Sequence, residues 1–314
     1  MKKKFFIAFL LSLICFSVMY ISLWSTISKR PTIAAPDGED IAGGSDTNDE
    51  EPKIKNEILF LLLGVDSKDV KNSKGTRTDT MMLTRVNFET GEIKILSIPR
   101  DTRVAVRGKE DKINHAHAFG GTDLTLKTVR DFLNLDIDYY VKVDYNIVKG
   151  VVDAIGGVEI DVPFRMKYDD TTKGMEFHVD LKKGLQTLDG DQAIQFLRFR
   201  HNNDYTVGYP EGDVGRIKAQ QYFMKELVKQ TLKLKNITKL PKLVDTYFDN
   251  VETNIPLNVV LKGIGLANKI NSEAMETTTI PGEGKKISGI DYWIYYREET
   301  RQMVEEMLGE YLLD

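Results

Sequence analysis

The chain has 314 residues, of which 41% are hydrophobic and 29% are charged, and its formal net charge is −4. This length allows one large domain or two smaller ones, and the composition excludes a wholly disordered chain. The single cysteine, Cys15, excludes an internal disulfide framework and a cysteine-rich zinc site. The net negative charge argues against a protein that coats nucleic acid.

The charge is divided among three unlike blocks. Residues 1–30 contain five basic and no acidic side chains, whereas residues 31–55 contain seven acidic side chains and two lysines. The remainder is only mildly acidic, with 36 basic and 40 acidic side chains. The small net charge therefore results from opposed blocks, and these blocks suggest how the chain is organised.

The first block has the pattern of a membrane anchor. Residues 5–24 carry no charge, and a helix of that length spans about 30 Å of hydrocarbon. The lysines at 2–4 favour a cytoplasmic N-terminus, although Lys29 and Arg30 act against this orientation. A cleaved signal peptide is the alternative, but the apolar run is long and no A-x-A site closes it.

We therefore predict four segments. Residues 1–4 are cytoplasmic, residues 5–24 form a single transmembrane signal anchor, and residues 25–55 form a disordered acidic tether rich in Pro, Gly and Asp. Residues 56–314 form a domain on the extracellular face of the cell membrane.

Strand and helix patterns alternate from residue 56 onward. The apolar run Ile58–Val65 predicts a strand buried on both faces, and two strand patterns flanking residues 89–91 predict a hairpin. Further patterns predict a helix from Thr122 or Asp123 to Asn134. They then predict a strand over 139–145, a helix over 146–155, a strand over 158–163, and helices over 188–197, 214–233 and 297–313. This order predicts an α/β fold in which helical layers enclose a sheet.

Charged side chains lie next to the first two predicted strands. Asp66 follows the first strand directly, at the edge where α/β sheets tend to place ligands. Arg77 and Asp79 are two residues apart, so an extended backbone directs them to the same side. Two carboxylates and an arginine could hold a hard divalent cation and an anion together. The alternative is that Asp66 caps a turn and that Arg77 and Asp79 form a surface ion pair.

Further arginines follow in three later segments. Arg100 comes after a predicted strand, where a solvated charge is the ordinary interpretation. Arg198 and Arg200 flank one phenylalanine, so an extended segment would direct both guanidinium groups to one face. Arg216 and Gln220 are one helical turn apart and share a helix face. Several arginines on one side are favoured when they share an anion, most simply a pyrophosphate.

Seven ordered motifs resemble the LytR-CpsA-Psr family of membrane-anchored cell-wall enzymes. They are GVDS (64–67), RTDTMML (77–83), SIPRDT (97–102), KINHAHAFGG (112–121), VDAIGGVEIDVP (152–163), LDGDQAIQFLRFRH (188–201) and GDVGRIKAQQ (212–221). The resemblance covers roughly residues 58–235. It implies an α-β-α sandwich with a central mixed sheet and an apolar tunnel for a lipid, preceded by one transmembrane helix.

The resemblance also implies an activity and its residues. The activity is a metal-dependent phosphotransfer that moves an anionic glycopolymer, wall teichoic acid or a similar polymer, from a polyprenyl pyrophosphate carrier to peptidoglycan, forming a phosphodiester. The family's metal, magnesium or manganese, would be held by Asp66 and Asp79. Catalytic roles are implied for Asp66, Asp79, Arg77 and Arg100. Pyrophosphate binding is implied for Arg77, Arg100, Arg198, Arg200, Arg216 and Gln220.

Two details of this assignment stay open at the level of sequence. Asp66 could accept the proton of the attacking sugar hydroxyl instead of binding the metal, because a metal ligand is a poor base. Ala219 occupies a position where the family pattern R-x-x-R-Q-Q has an arginine.

Other functions fit parts of the pattern. A polyprenyl pyrophosphate hydrolase would use the same site with water as the acceptor. A non-enzymatic anchored module would bind anionic polymers, but Asp66 and Asp79 would repel them unless a metal lay between. A transcriptional regulator is disfavoured by an exported acidic domain without a recognition helix. The predicted partners are thus the lipid-linked polymer, peptidoglycan and the membrane, with no nucleic acid.

Overall fold

The fold was determined as a computed structural model. It describes residues 56–65, 70, 73, 75–172, 176–231, 251–256, 258–260, 263, 269–270 and 275–313. The predicted anchor at 5–24, the predicted tether at 25–55 and Asp66 lie outside the described residues. Within the described ranges, no helix is both long enough and apolar enough to cross a membrane.

The described part of the chain contains runs of strands separated by helices. In order they are β1 (Glu57–Val65), β2 (Thr78–Asn87), β3 (Ile93–Ser97), β4 (Arg103–Val106), β5 (Lys109–Lys112), α1 (His115–Leu133), β6 (Tyr139–Val143), α2 (Tyr145–Ile155), β7 (Val158–Val162), β8 (Met166–Asp170), β9 (Phe177–Leu181), β10 (Gly184–Leu188), α3 (Gly190–Arg198), α4 (Asp213–Thr231), β11 (Val251–Thr253), β12 (Met275–Thr279), β13 (Gly282–Ile287), β14 (Ile290–Tyr295) and α5 (Arg297–Leu308), followed by a 3-10 turn (Gly309–Tyr311).

A mixed six-stranded sheet forms the centre of the fold, with the strand order β11-β6-β1-β2-β3-β12. Strand β1 pairs antiparallel with β2 and parallel with β6, and β2 pairs antiparallel with β3. Strand β12 runs parallel to β3 at one edge. The predicted α/β class with a central mixed sheet and the predicted hairpin between β2 and β3 are confirmed.

Side chains of the sheet alternate between two buried faces. Leu61 and Leu63 of β1 pack in one cluster with residues of α1 and α5. Met82 of β2 belongs to a second cluster, against which Met224 and Val228 of α4 pack. Adjacent strand residues point to opposite faces of the sheet. Since each of these two clusters includes helix residues, helices cover the sheet on both sides.

A third apolar cluster fills the space between the smaller strands and the helices α3 and α4. It contains Ile160, Val179, Phe196 and Phe223. Ala219 of α4 packs against this cluster. The position at which the family pattern has an arginine is therefore in apolar surroundings here.

Helix α1 begins earlier than predicted, at His115, and is interrupted at Gly120 and Gly121. These two residues have non-helical backbone angles, and Gly121 has a φ of 66°, which a residue with a side chain rarely adopts. The segment from Thr122 onward matches the prediction and ends at Asn134 in the left-handed conformation.

Truncation of Leu61 to alanine is expected to lower the free energy of unfolding by about 2–5 kcal/mol, since a fully buried leucine leaves a cavity when shortened. Urea unfolding followed by circular dichroism measures this change. Leu185 on β10 is 68% exposed and serves as the control, with an expected change of about 0.5 kcal/mol or less. Equal losses in the two variants would contradict the assignment of Leu61 to the core.

Candidate active site

The ends of several strands meet at one edge of the sheet. Strands β1, β3 and β6 run in the same direction and β2 in the opposite one, so the start of β2 lies beside the ends of the other three. Asp79 is near the start of β2, Arg100 follows β3 and Tyr145 follows β6. The strand directions thus bring residues distant in sequence to one place.

An ion pair between Asp79 and Arg100 lies at this edge. The Nη1 group of Arg100 donates a hydrogen bond to Oδ1 of Asp79, and the two side chains are only 20% and 24% exposed. Burial disfavours the Arg100 cation, but the carboxylates of Asp79, Asp213 and Asp101 outweigh this effect and raise the pKa of Arg100. The Arg100 guanidinium is therefore a fixed positive charge of the site.

Arg216 is a buried cation on α4. It is 3% exposed, and its Nη2 atom lies 2.8 Å from Oδ1 of Asp213, one turn earlier. The angles at this contact do not suit a hydrogen bond, and Nε and Nη2 of Arg216 have no hydrogen-bond partner within the described part of the chain. A buried guanidinium with unsatisfied donors is costly by itself and is stabilised when an anion accepts from it.

Arg200 follows α3 and keeps an exposed surface. Partial burial lowers the pKa of Arg200, and the positive charges of Arg216 and Arg100 lower it further, against a weaker opposing effect of Asp213 and Asp79. Three guanidinium groups thus lie close enough to repel one another. An anion between them would turn this repulsion into attraction.

The expected extended conformation around Arg198 and Arg200 is wrong, because Arg198 is the last residue of α3. The helix starts at a capping box formed by Asp189 and Gln192 and becomes extended only at Phe199. Arg198 nevertheless lines the same cavity as Arg200.

The Arg198 guanidinium lies over two aromatic rings. It is 4.1 Å from the ring centre of Phe177 and 5.3 Å from that of Tyr145. Cation–π contacts of this kind hold an arginine in place.

Gln220 lies beside Asp79 and Arg100 in the structure, whereas Arg77 does not line a cavity with them. Gln220 is buried and accepts a hydrogen bond from Thr80 Oγ1 at 3.4 Å. Arg77 is exposed, precedes β2 and does not line the cavities that adjoin the other arginines. Burial opposes ionisation of Asp111, but hydrogen bonds from His115 and the backbone, with the charges of His115 and Arg77, outweigh it and lower the pKa of Asp111.

Two polar cavities adjoin these residues. The first, which we call the arginine cavity, has a volume of about 800 Å³ and is lined by Asp79, Arg198, Arg200 and Arg216 among others. The second, the outer cavity, has about 1090 Å³ and is lined by residues that include Arg100, Asp101, Arg200 and Asp213. Arg200 lines both, so the two cavities adjoin.

An apolar cavity of about 620 Å³ adjoins the arginine cavity. Its wall includes Leu62, Val148, Phe223 and Leu227 from the sheet and the helices α2 and α4. Tyr145 lines both the apolar cavity and the arginine cavity, and therefore marks their junction. Val65, the residue before Asp66, also lines the apolar cavity.

The structure thus brings together six of the eight residues singled out from the sequence. Arg77 does not line these cavities, and Asp66 lies outside the described residues. The six are Asp79, Arg100, Arg198, Arg200, Arg216 and Gln220. Sequence reasoning missed Asp213, whose position three residues before Arg216 on a helix was a usable signal. It also missed Tyr145 and Phe177, which reach Arg198 through tertiary packing and leave no local signal.

Carboxylate ligands for a metal are few in the described part. No group of three or more His, Cys, Asp or Glu side chains there is arranged to hold a metal ion. Asp79 places one carboxylate on the wall of the arginine cavity.

Comparison with known proteins identifies the family. The model of the LytR_cpsA_psr family matches residues 26–308. The polyisoprenyl-teichoic acid–peptidoglycan teichoic acid transferase TagU of Bacillus cereus is 35% identical over 267 residues, which cover 84% of this chain and 82% of TagU. TagU of Bacillus subtilis strain 168 is 34% identical over 253 residues, covering 79% and 77% of the two chains.

Solved structures agree with this relationship. The crystal structure of B. subtilis TagV superposes with a TM-score of 0.66 at 30% identity, covering 81% of this chain and 98% of TagV. A structure of TagT bound to LIIa-WTA gives a TM-score of 0.63 at 26% identity, with 82% and 92% covered. The resemblance seen in the sequence motifs is confirmed, and the chain belongs to the LytR_cpsA_psr family.

Proposed function

We propose that this protein transfers an anionic glycopolymer, wall teichoic acid or a similar polymer, from a polyprenyl pyrophosphate carrier to peptidoglycan, forming a phosphodiester. The observation that carries the proposal is the junction of the arginine cavity with the apolar cavity at Tyr145. A lipid pyrophosphate has a charged head and a hydrocarbon chain, and the two cavities offer matching surroundings. The names of the relatives TagU describe the same kind of transfer.

The arginines would bind and orient the pyrophosphate. Arg216 has buried donors that lack partners in the described part, and Arg198 is held by aromatic rings. Arg100 and Arg200 add positive charge where the outer cavity begins. Fixed cations of this kind favour negative charge that builds up on the leaving polyprenyl phosphate.

A magnesium or manganese ion is part of the proposal, with Asp79 and Asp66 as its ligands. Asp79 supplies a carboxylate on the wall of the arginine cavity, and pyrophosphate oxygens would complete a set of hard oxygen ligands. When bound, such an ion neutralises charge on the phosphate oxygens. The role of Asp66, as a metal ligand or as the base that accepts the proton of the sugar hydroxyl, stays a prediction.

The cellular arrangement is likewise proposed from the sequence. A single transmembrane anchor at 5–24 and an extracellular domain would place the site beside the membrane that holds the lipid carrier.

A reconstituted reaction tests the proposal and separates it from its alternatives. The full-length protein in detergent is incubated with magnesium, a polyprenyl pyrophosphate-linked oligosaccharide and peptidoglycan fragments, and mass spectrometry follows the products. A joined product supports transfer. Free phosphorylated saccharide, formed by attack of water although acceptor is present, would indicate a hydrolase. Bound lipid without any turnover would indicate a binding module.

Removal of divalent metal by EDTA is expected to lower the transfer rate at least about a hundredfold, since the ion neutralises phosphate charge during transfer. Added magnesium or manganese should restore the rate. Circular dichroism before and after chelation is the control for folding. Full activity in EDTA would contradict the metal assignment.

Substitution of Met224 by tryptophan is expected to raise KM for a long-chain polyprenyl donor about tenfold, because the larger side chain fills part of the apolar cavity. A donor with a short ten-carbon chain should be affected much less. Tyr222→Trp on the same helix, outside the cavity lining, is the matched control. Equal effects on both donors would argue against lipid binding in this cavity.

A further inference from the structure

A fourth cavity adjoins the site and has a different chemistry. Its volume is about 640 Å³, and it shares Asp101 and Asp213 with the outer cavity. We call it the hairpin cavity, because the β13–β14 hairpin forms one of its walls. Its carboxyl and aromatic lining residues are Asp101, Glu211, Asp213, Asp291, Tyr292 and Trp293. None of the described residues that line it is a lysine or an arginine.

The aromatic wall of the hairpin cavity is fixed to the active-site edge of the sheet. The Trp293 backbone N–H donates to the Asp101 carbonyl at 2.9 Å, and the Trp293 indole N–H donates to the Ile280 carbonyl at 3.2 Å. Lys112 lies 2.9 Å from the Asp101 carboxylate and 5.8 Å from the Tyr292 ring centre. The wall is therefore positioned before any ligand arrives.

The carboxylates are oriented by cations outside the lining. Lys218 lies 2.5 Å from Glu211, and Arg216 lies 2.8 Å from Asp213. Carboxylates accept hydrogen bonds from hydroxyl groups and repel phosphates. Aromatic faces, for their part, pack against the C–H groups on one side of a sugar ring.

The carboxylate acceptors and aromatic faces suit a hydroxyl-rich ligand, and the described lining offers no lysine or arginine to bind an anionic one. The arginine cavity has the opposite preference, since its lining includes Arg198, Arg200 and Arg216. A transferase with an anionic donor and a saccharide acceptor needs two such surroundings next to each other. The outer cavity connects them, because it shares Arg200 with the arginine cavity and Asp213 with the hairpin cavity.

We infer that the hairpin cavity binds the acceptor, through the uncharged sugar rings of its glycan, and that Tyr292 is a specificity-determining residue for it. This inference rests on the proposed transfer function. The shared residues Asp101 and Asp213 place the acceptor hydroxyl on the side of Arg100 and Arg216, where the donor phosphate would bind.

A binding experiment tests the cavity without requiring turnover. The chain contains two tryptophans, so a full-length Trp24→Phe protein in detergent carries Trp293 as its single tryptophan. Tetra-N-acetylchitotetraose is titrated to about 10 mM, a range suited to weak saccharide binding. We expect a saturable change in Trp293 emission, and weaker binding of the anionic tetragalacturonate at low salt.

Variants of the hairpin sharpen this test. Tyr292→Ala should weaken chitotetraose binding about tenfold, whereas Tyr292→Phe should retain it because the ring remains. Tyr296→Ala is the matched control: Tyr296 is 41% exposed and does not line the cavity, so binding should be unchanged. Equilibrium dialysis confirms any change seen by fluorescence. Absence of binding by both methods, or tighter binding of tetragalacturonate, would overturn the inference.

Kinetics distinguish this inference from the proposed function. In the reconstituted reaction, Tyr292→Ala should raise KM for the acceptor about tenfold and leave KM for the lipid donor unchanged. Active transfer with an unchanged acceptor KM in this variant would overturn the inference and leave the function standing. Chitotetraose binding with the expected variant pattern but no transfer would support the saccharide site and count against the function.

Discussion

Replacement of Arg200 by alanine is expected to lower the transfer rate by about 100- to 1,000-fold while leaving the domain folded. Arg200 lines both the arginine cavity and the outer cavity, and it shares the positive potential of Arg100 and Arg216. Its loss removes a cation from the position where phosphate charge would develop. Because the side chain keeps an exposed surface, its truncation leaves no buried cavity.

The Arg200→Ala substitution should weaken pyrophosphate binding as well as lower the transfer rate. We expect the affinity for inorganic pyrophosphate, measured by calorimetry with magnesium present, to fall about tenfold or more. Arg165→Ala is the matched control, since Arg165 is an exposed arginine paired with Asp180 and lies outside the cavity linings. Near-normal turnover in the Arg200 variant would remove this residue from the site.

Substitution of Asp79 by asparagine is expected to lower the transfer rate about 1,000-fold. This loss is at least as large as that expected for the Arg200 substitution, but it has a different cause. Asparagine keeps the size of the side chain but removes the negative charge that Arg100 contacts and that would hold the metal. It also removes a repulsive charge from the arginine cavity. Pyrophosphate binding without metal should therefore stay equal or become tighter while kcat falls.

This combination separates Asp79 from the arginines. Asp170→Asn is the control, because Asp170 also places a carboxylate on the arginine cavity but accepts a hydrogen bond from the Thr172 backbone N–H, whereas Asp79 accepts one from Arg100. Its effect on kcat should stay below about tenfold. Weaker metal-free pyrophosphate binding after the Asp79 change would contradict the assigned role, since the arginines alone would then not explain the affinity.

Much of the fold was predictable because its signals are local. The apolar run that forms β1, the hairpin between β2 and β3 and the periodicity of α2 all appear within short windows of sequence. The hairpin of β13 and β14 was missed because β13 is largely polar and because both strands are half-exposed or exposed. That hairpin contributes a wall of the proposed acceptor site.

The candidate site was only partly predictable, since its geometry depends on how distant segments meet. Arg100 after a strand has no distinctive local signal, and its partner Asp79 lies 21 residues earlier. The alternation at Arg198 and Arg200 suggested an extended segment, but the capping box at Asp189 sets a helix that continues through Arg198. Family resemblance supplied what spacing alone left open.

The position of β1 has a mechanical consequence. This strand is hydrogen-bonded to β2 on one side and β6 on the other, and it is the first strand after the predicted anchor and tether. A pull at residue 56 directed along β1 would load its hydrogen bonds to both neighbours in shear, so that they would have to break together. A strand at the edge of the sheet would instead peel away one bond at a time. The interior position of β1 would therefore make the domain resist tension applied along this strand from its N-terminal side.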